Sequence, residues 1–158
     1  MIVLSLGTVQ ARASETSQNE KQVLPVLIVN NSFADTNQSM ARIKSDLSII
    51  LMNQITKSLG DRYNIKQINN DYNIFDVAST EKNDLLEIFK ETSYSTIILA
   101  EILPVHLGGM DTATLVTVHF KILSIKDKKY LYNGKFSNYK SHSTKAMETM
   151  NIQLGNFM

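Results

Sequence analysis

Two short, almost unbroken apolar runs limit what this chain can fold into. They are VLPVLIV at residues 23–29 and TIILAEILPV at residues 96–105. Neither approaches the roughly 18 apolar residues needed to cross a bilayer. Their length and branched residues favour strands over helices, and a strand that is apolar at nearly every position is buried on both faces. Pro25 then belongs near the start of its strand, where a missing N–H interrupts no ladder. Pro104 ends the second run or sets it at an edge.

Between the runs the periodicity changes. Met40, Ile43, Leu47, Ile50, Leu51, Ile55 and Leu59 recur at helical spacing. Asn37 or Ser39 can cap that helix, and Gly60 stands just past its end. Residues 63–68 (YNIKQI) alternate as a strand, and residues 69–73 are turn-rich. Thr80 can cap a second helix over residues 81–92, whose apolar content is Leu85, Leu86, Ile88 and Phe89. Glu81 and Asp84 near its start suit the helix dipole. Gly108-Gly109 marks a loop.

Residues 114–125 alternate, with Val116, Val118, Phe120 and Ile122 on one face and Thr117, His119 and Lys121 on the other. On this reading Phe120→Ala costs about 3–5 kcal/mol, whereas Lys121→Ala costs little. A turn at Asp127-Lys128 returns the chain along residues 129–139, where Tyr132, Gly134 and Phe136 share a face. Ser141 or Ser143 starts a last helix with Met147, Met150, Leu154 and Phe157 on its apolar side.

The order β-α-β-α-β-β-β-α predicts an α/β fold with α+β character. We expect a single mixed five-stranded sheet in the order 2-1-3-4-5, with three helices mainly on one face. The chain of 158 residues fits one domain, over residues 23–158. A formal charge of +1 provides no strong field for nucleic acid, so no nucleic-acid partner is expected. Cysteine is absent, which removes disulfides, thiol catalysis, thiolate metal sites and a lipobox.

At the N-terminus an apolar stretch over residues 2–9 leads to Ala11-Arg12-Ala13, the small–x–small pattern that signal peptidase accepts. Residues 1–13 read as a truncated signal peptide and 14–22 as a polar, disordered tail. The expected location is therefore the periplasm or cell envelope, with the cytoplasm as the fallback.

The stretch from Lys121 through Ile125, Lys126, Asp127 and Lys128 to Leu131 is a long alternating strand, a charged turn and a returning strand. It follows a strand running from Ser95 to Ile102. This pattern resembles small bacterial envelope domains: the curli-secretion lipoprotein, the lipoprotein activators of penicillin-binding proteins, and the N-terminal domain of TolB. The resemblance implies a non-enzymatic domain that works by contacts with an envelope protein or with itself. The sequence departs from the first two groups in having no lipobox cysteine to carry a lipid anchor, and it is too short for the added membrane hairpins of a pore.

Catalytic signatures are missing. There is no Gly-x-Ser-x-Gly elbow, no phosphate-binding glycine loop and no metal spacing among His106, His119 and His142. Asp71 and Asp76 lack the calcium-loop pattern. No cofactor and no metal are expected. The candidate ligand-binding residues are Asn31, Ser32 and Asp35, which follow the first parallel strand at its carboxyl end, and His106 with Asp111, which flank the glycine pair. A small hydrolase or ligand-binding enzyme using that His106–Asp111 loop is the alternative function. The candidate interaction surface is Tyr130, Tyr132 and Tyr139, because tyrosine combines apolar area with a hydroxyl at low entropic cost. Tyr130, at the hairpin exit, is expected to be the most exposed.

Overall fold

The computed structural model describes residues 20–29, 38–106 and 114–138. In chain order they form β1 (Val23–Val29), α1 (Gln38–Leu59), β2 (Asn64–Ile68), α2 (Lys82–Ile88), β3 (Thr96–His106), β4 (Thr114–Ser124) and β5 (Lys129–Asn138). The strands make one sheet in the order β2-β1-β3-β4-β5, as the sequence predicts. β1 is parallel to both β2 and β3, and β3–β4 and β4–β5 are antiparallel.

Both prolines sit where the ladder tolerates them. Pairing of β1 with β3 begins at Val26, one residue after Pro25, and ends at Val29 opposite Glu101. β3 then continues past β1, so Pro104 interrupts no bond on that side. It does not end the strand, because β3 runs on to His106 paired with β4, but it stands in a stretch that has no β1 partner, an edge on that side among the described residues.

α1 buries Leu47, Leu51, Ile55 and Leu59, spaced by four residues, against one face of the sheet. That face presents Val26, Ile28, Ile98, Ala100, Val118, Phe120 and Ile122. Gly60 ends the helix because of close approach. Its N–H donates to the Thr56 carbonyl at 2.8 Å, and a Cβ there would stand 2.5 Å from the same oxygen. Ser39 lies inside α1, so it is not the cap, and Asn37 lies outside the described residues.

α2 packs on the opposite face. Leu85 and Phe89 close over Leu27, Val29, Ile97, Leu99 and Leu123, with Ile74 and Val77 from the β2–α2 loop. The two described helices thus lie on opposite faces rather than together on one. β1 and the first half of β3 are apolar on alternate sides, and each side needs its own cover. α2 is also shorter than expected. It ends at Ile88, and Phe89 is its C-cap. Thr80 does not cap it: its hydroxyl donates back to the Asp76 carbonyl, and the N-cap Glu81 makes no side-chain bond. The third helix, expected from Ser141 or Ser143, lies outside the described residues, as do the leader and most of the polar tail.

Candidate functional surface

Asn31, Ser32, Asp35 and Asp111 lie outside the described residues, and His106 closes β3 opposite Thr114. Among the described residues no group of three or more His, Asp or Glu could hold a metal ion.

The tyrosines do not form one surface. A register shift between Ile122 and Leu123 pairs Ile122 with Tyr132 but Leu123 with Tyr130, leaving Leu131 as the extra residue of a bulge. Tyr130 and Tyr132, which would share a face in a regular strand, therefore point to opposite faces. Tyr132 joins the α1-side core, edge-on to Phe120 and stacked on Phe136, each with centroids 6.0 Å apart. Its ring lies across Gly134, where a Cβ would come within 2.5 Å of its hydroxyl oxygen. Tyr130 packs against the α2-side core, and its hydroxyl is buried with no hydrogen-bond partner. The expectation of an exposed Tyr130 is not met. Tyr139 lies outside the described residues.

A cluster of charges absent from the sequence reading lies on the α2 side. Glu101 and Lys121 are only 2% and 4% exposed. Glu101 Oε2 accepts the Val77 N–H at 2.9 Å, and Lys121 Nζ donates to the carbonyls of Thr80 at 2.8 Å and Ala78 at 3.2 Å. The ammonium also stands 5.6 Å from the Tyr130 ring centroid. Asp76 Oδ1 accepts the Ser79 N–H at 2.9 Å. His119 pairs across the ladder with Glu101, and its field lowers the pKa of both Asp76 and Glu101.

Burial pushes the Glu101 carboxyl above its ordinary range, against the pull of the Val77 N–H. Burial likewise pulls the Lys121 ammonium down, against the fields of Asp76 and Glu101. Asp76 is held below its ordinary range by the Ser79 N–H and hydroxyl. The bonds from Glu101 to Val77 and from Lys121 to Ala78 and Thr80 fasten the loop to the sheet, and the Asp76–Ser79 bond closes a turn within it. One signal in the sequence marks the cluster: Glu101 is a charge in the middle of an apolar strand. Buried charges are retained only with partners.

That fastening has a surface consequence. Phe75 is 54% exposed, yet its neighbours Ile74 and Val77 are 2% and 0% exposed. The Asn70 side chain brackets Ile74, donating to its carbonyl at 2.6 Å and accepting its N–H at 3.2 Å. Tyr72 sits edge-on to Phe89 at 4.7 Å. Phe75 is thus held outward by a braced loop. At the other end of β2, an open hollow of about 390 Å³ lies among Lys21, Thr56, Gly60, Tyr63 and Ile65, with Glu20 and Asn64 also lining it.

No family model and no curated protein matches this sequence. Solved structures show the fold. The chain is similar to PelC from Paraburkholderia phytofirmans, crystallised as a dodecamer in two crystal forms. Both give a TM-score of 0.52 at 12% identity, one covering 88% of this chain and 90% of that chain, the other 87% of each. TolB from Acinetobacter baumannii is also similar over 87% of this chain and 29% of its own, at 14% identity and a TM-score of 0.45. The expected likeness to small bacterial envelope α/β domains is thus found, at the level of fold.

Proposed function

We propose that this chain is an exported cell-envelope domain that acts by contacts, without catalysis, and associates with copies of itself. The observation that carries the reading is the fold shared with PelC over nearly the full length of both chains, since PelC is a dodecamer. The leader-like stretch ending at Ala13 supports export, and among the described residues no helix is long and apolar enough to cross a membrane. The use of Glu101, Lys121 and Asp76 in bracing a loop also supports a contact role, because a rigid surface loses less entropy on binding.

The test is to express the full chain, fractionate the cells and sequence the N-terminus of the envelope fraction. A lysine-reactive cross-linker is applied before lysis. The expected result is a chain beginning at Ser14 that cross-links into multiples of its own mass. An intact N-terminus confined to the cytoplasm contradicts export, and a cross-linked species that is never a multiple of this chain contradicts self-association.

A further inference from the structure

We propose that a second hollow, between β2 and Tyr94, binds a neutral saccharide, a role beyond self-association and independent of it. The hollow has a volume of about 260 Å³ and lies at the outermost strand of the sheet. Its polar lining is Lys66 and Gln67 from β2, Asn69, Asp71 and Tyr72 from the turn that follows, and Tyr94 from the approach to β3.

The segments that carry these groups are fixed by other bonds. Asn70 donates to the Ile74 carbonyl at 2.6 Å and accepts the Ile74 N–H at 3.2 Å. Asn73 holds a left-handed φ of 56°, a conformation that asparagine tolerates better than most residues. The Tyr72 ring is edge-on to Phe89, with centroids 4.7 Å apart. Beside Tyr94, the Ser95 carbonyl accepts the N–H groups of Ile125 at 2.8 Å and Lys126 at 3.2 Å.

The groups around the hollow are left over from this framework. Among the described residues, the side chains of Lys66, Gln67, Asn69 and Asp71 and the hydroxyls of Tyr72 and Tyr94 make no hydrogen bond or ion pair with the rest of the chain. The loop over residues 76–80 is the opposite case, since Asp76, Glu101 and Lys121 are all spent on holding it. Six polar groups thus border one hollow, on a preorganised frame that does not use them. Preorganisation lowers the cost of binding.

Their chemistry selects the ligand. Lys66 and Asp71 cancel in charge, so a singly charged ligand meets one attraction and one repulsion. Burial first, and then Tyr94 and Asp71, hold the Tyr72 hydroxyl above its ordinary pKa, so it keeps its proton. Phenols and amides both donate and accept, Lys66 only donates and ionised Asp71 only accepts. A sugar hydroxyl likewise donates and accepts, and can use every one of these groups. Tyrosine adds apolar ring area beside a polar tip, which suits the C–H face of a sugar. The volume falls just below the roughly 300–1,000 Å³ of drug-sized pockets and so suits a small ligand.

The test is to titrate the full chain with maltose, cellobiose and N,N′-diacetylchitobiose and follow the amide NMR shifts. At least one sugar should shift the amides of Asn69, Asp71, Tyr72 and Tyr94, with a dissociation constant on the order of 1 mM. Tyr94→Ala should weaken binding about tenfold. Tyr72→Phe keeps the ring against Phe89 and should weaken it about fivefold. Silence at these amides with all three sugars overturns the proposal, as does unchanged affinity in either variant. Glycine shifting the same amides in place of the sugars would make the hollow a zwitterion site across Lys66 and Asp71, and overturns it too. Should Tyr94→Ala alter the spectrum of the free protein at a distance, Tyr72→Phe alone decides by the same criterion. A chain that binds sugar yet stays monomeric upholds this site and refutes only self-association.

Discussion

Tyr130 places a buried hydroxyl where nothing accepts or donates to it. Burial raises its pKa, so the hydroxyl stays neutral. Removing a buried polar atom that has no partner relieves its desolvation cost, so Tyr130→Phe should keep the fold and raise stability by up to about 1 kcal/mol, read from denaturant midpoints at unchanged slope. A loss of stability would mean that the hydroxyl is in fact bonded. Tyr130→Ala removes a ring from the α2-side core and should lower the melting temperature, the opposite of what an exposed interface tyrosine predicts.

Lys121 requires a similar reversal. Its position on the alternating strand matches a solvent-facing one, but the β2–α2 loop covers it. Lys121→Ala leaves two carbonyls and the Glu101 carboxylate without their cation, so it should cost about 2–3 kcal/mol in chemical denaturation. A cost near zero would mean that the ammonium is not engaged with Ala78 and Thr80.

At the scale of elements, the β2–α2 loop is a segment whose order depends on charge. The Asp76 carboxyl titrates below its ordinary value because Ser79 bonds the ionised form. A group with a lowered folded pKa contributes stability that is complete above its unfolded pKa and is lost as pH falls through the folded one. Asp76→Asn should therefore be less stable than the unmodified chain near neutral pH, and the gap should close as pH falls below about 4. Glu101, raised first by burial and also by the Asp76 charge, runs in the opposite sense; Asp76→Asn removes that part of its shift, so Glu101 contributes to the comparison as well. Thermal melts from pH 7 to pH 2 measure this, and a gap that stays constant would assign Asp76 no electrostatic part.

This loop was also where the sequence was least legible. β1, α1 and the strand order follow from local periodicity, because an all-apolar run and a four-residue repeat each report their own burial. α2 has only seven residues, too few for spacing to fix its ends or its face. The bulge at Leu131 carries no glycine or proline to mark it. Lys121 is buried by a segment more than 40 residues away in sequence, so no local pattern distinguishes it from a solvated lysine. Of the ligand-binding candidates, Asn31, Ser32, Asp35 and Asp111 lie outside the described residues.

At the scale of the whole molecule, the sheet is covered by α1 on one side and by α2 with the β2–α2 loop on the other. The account as a whole stands on the proposed self-association. Sedimentation velocity up to about 100 μM, well above the dissociation constants of specific interfaces, measures it most directly. The account predicts a concentration-dependent shift to species several times the monomer mass. A single monomeric boundary across the whole range would contradict it.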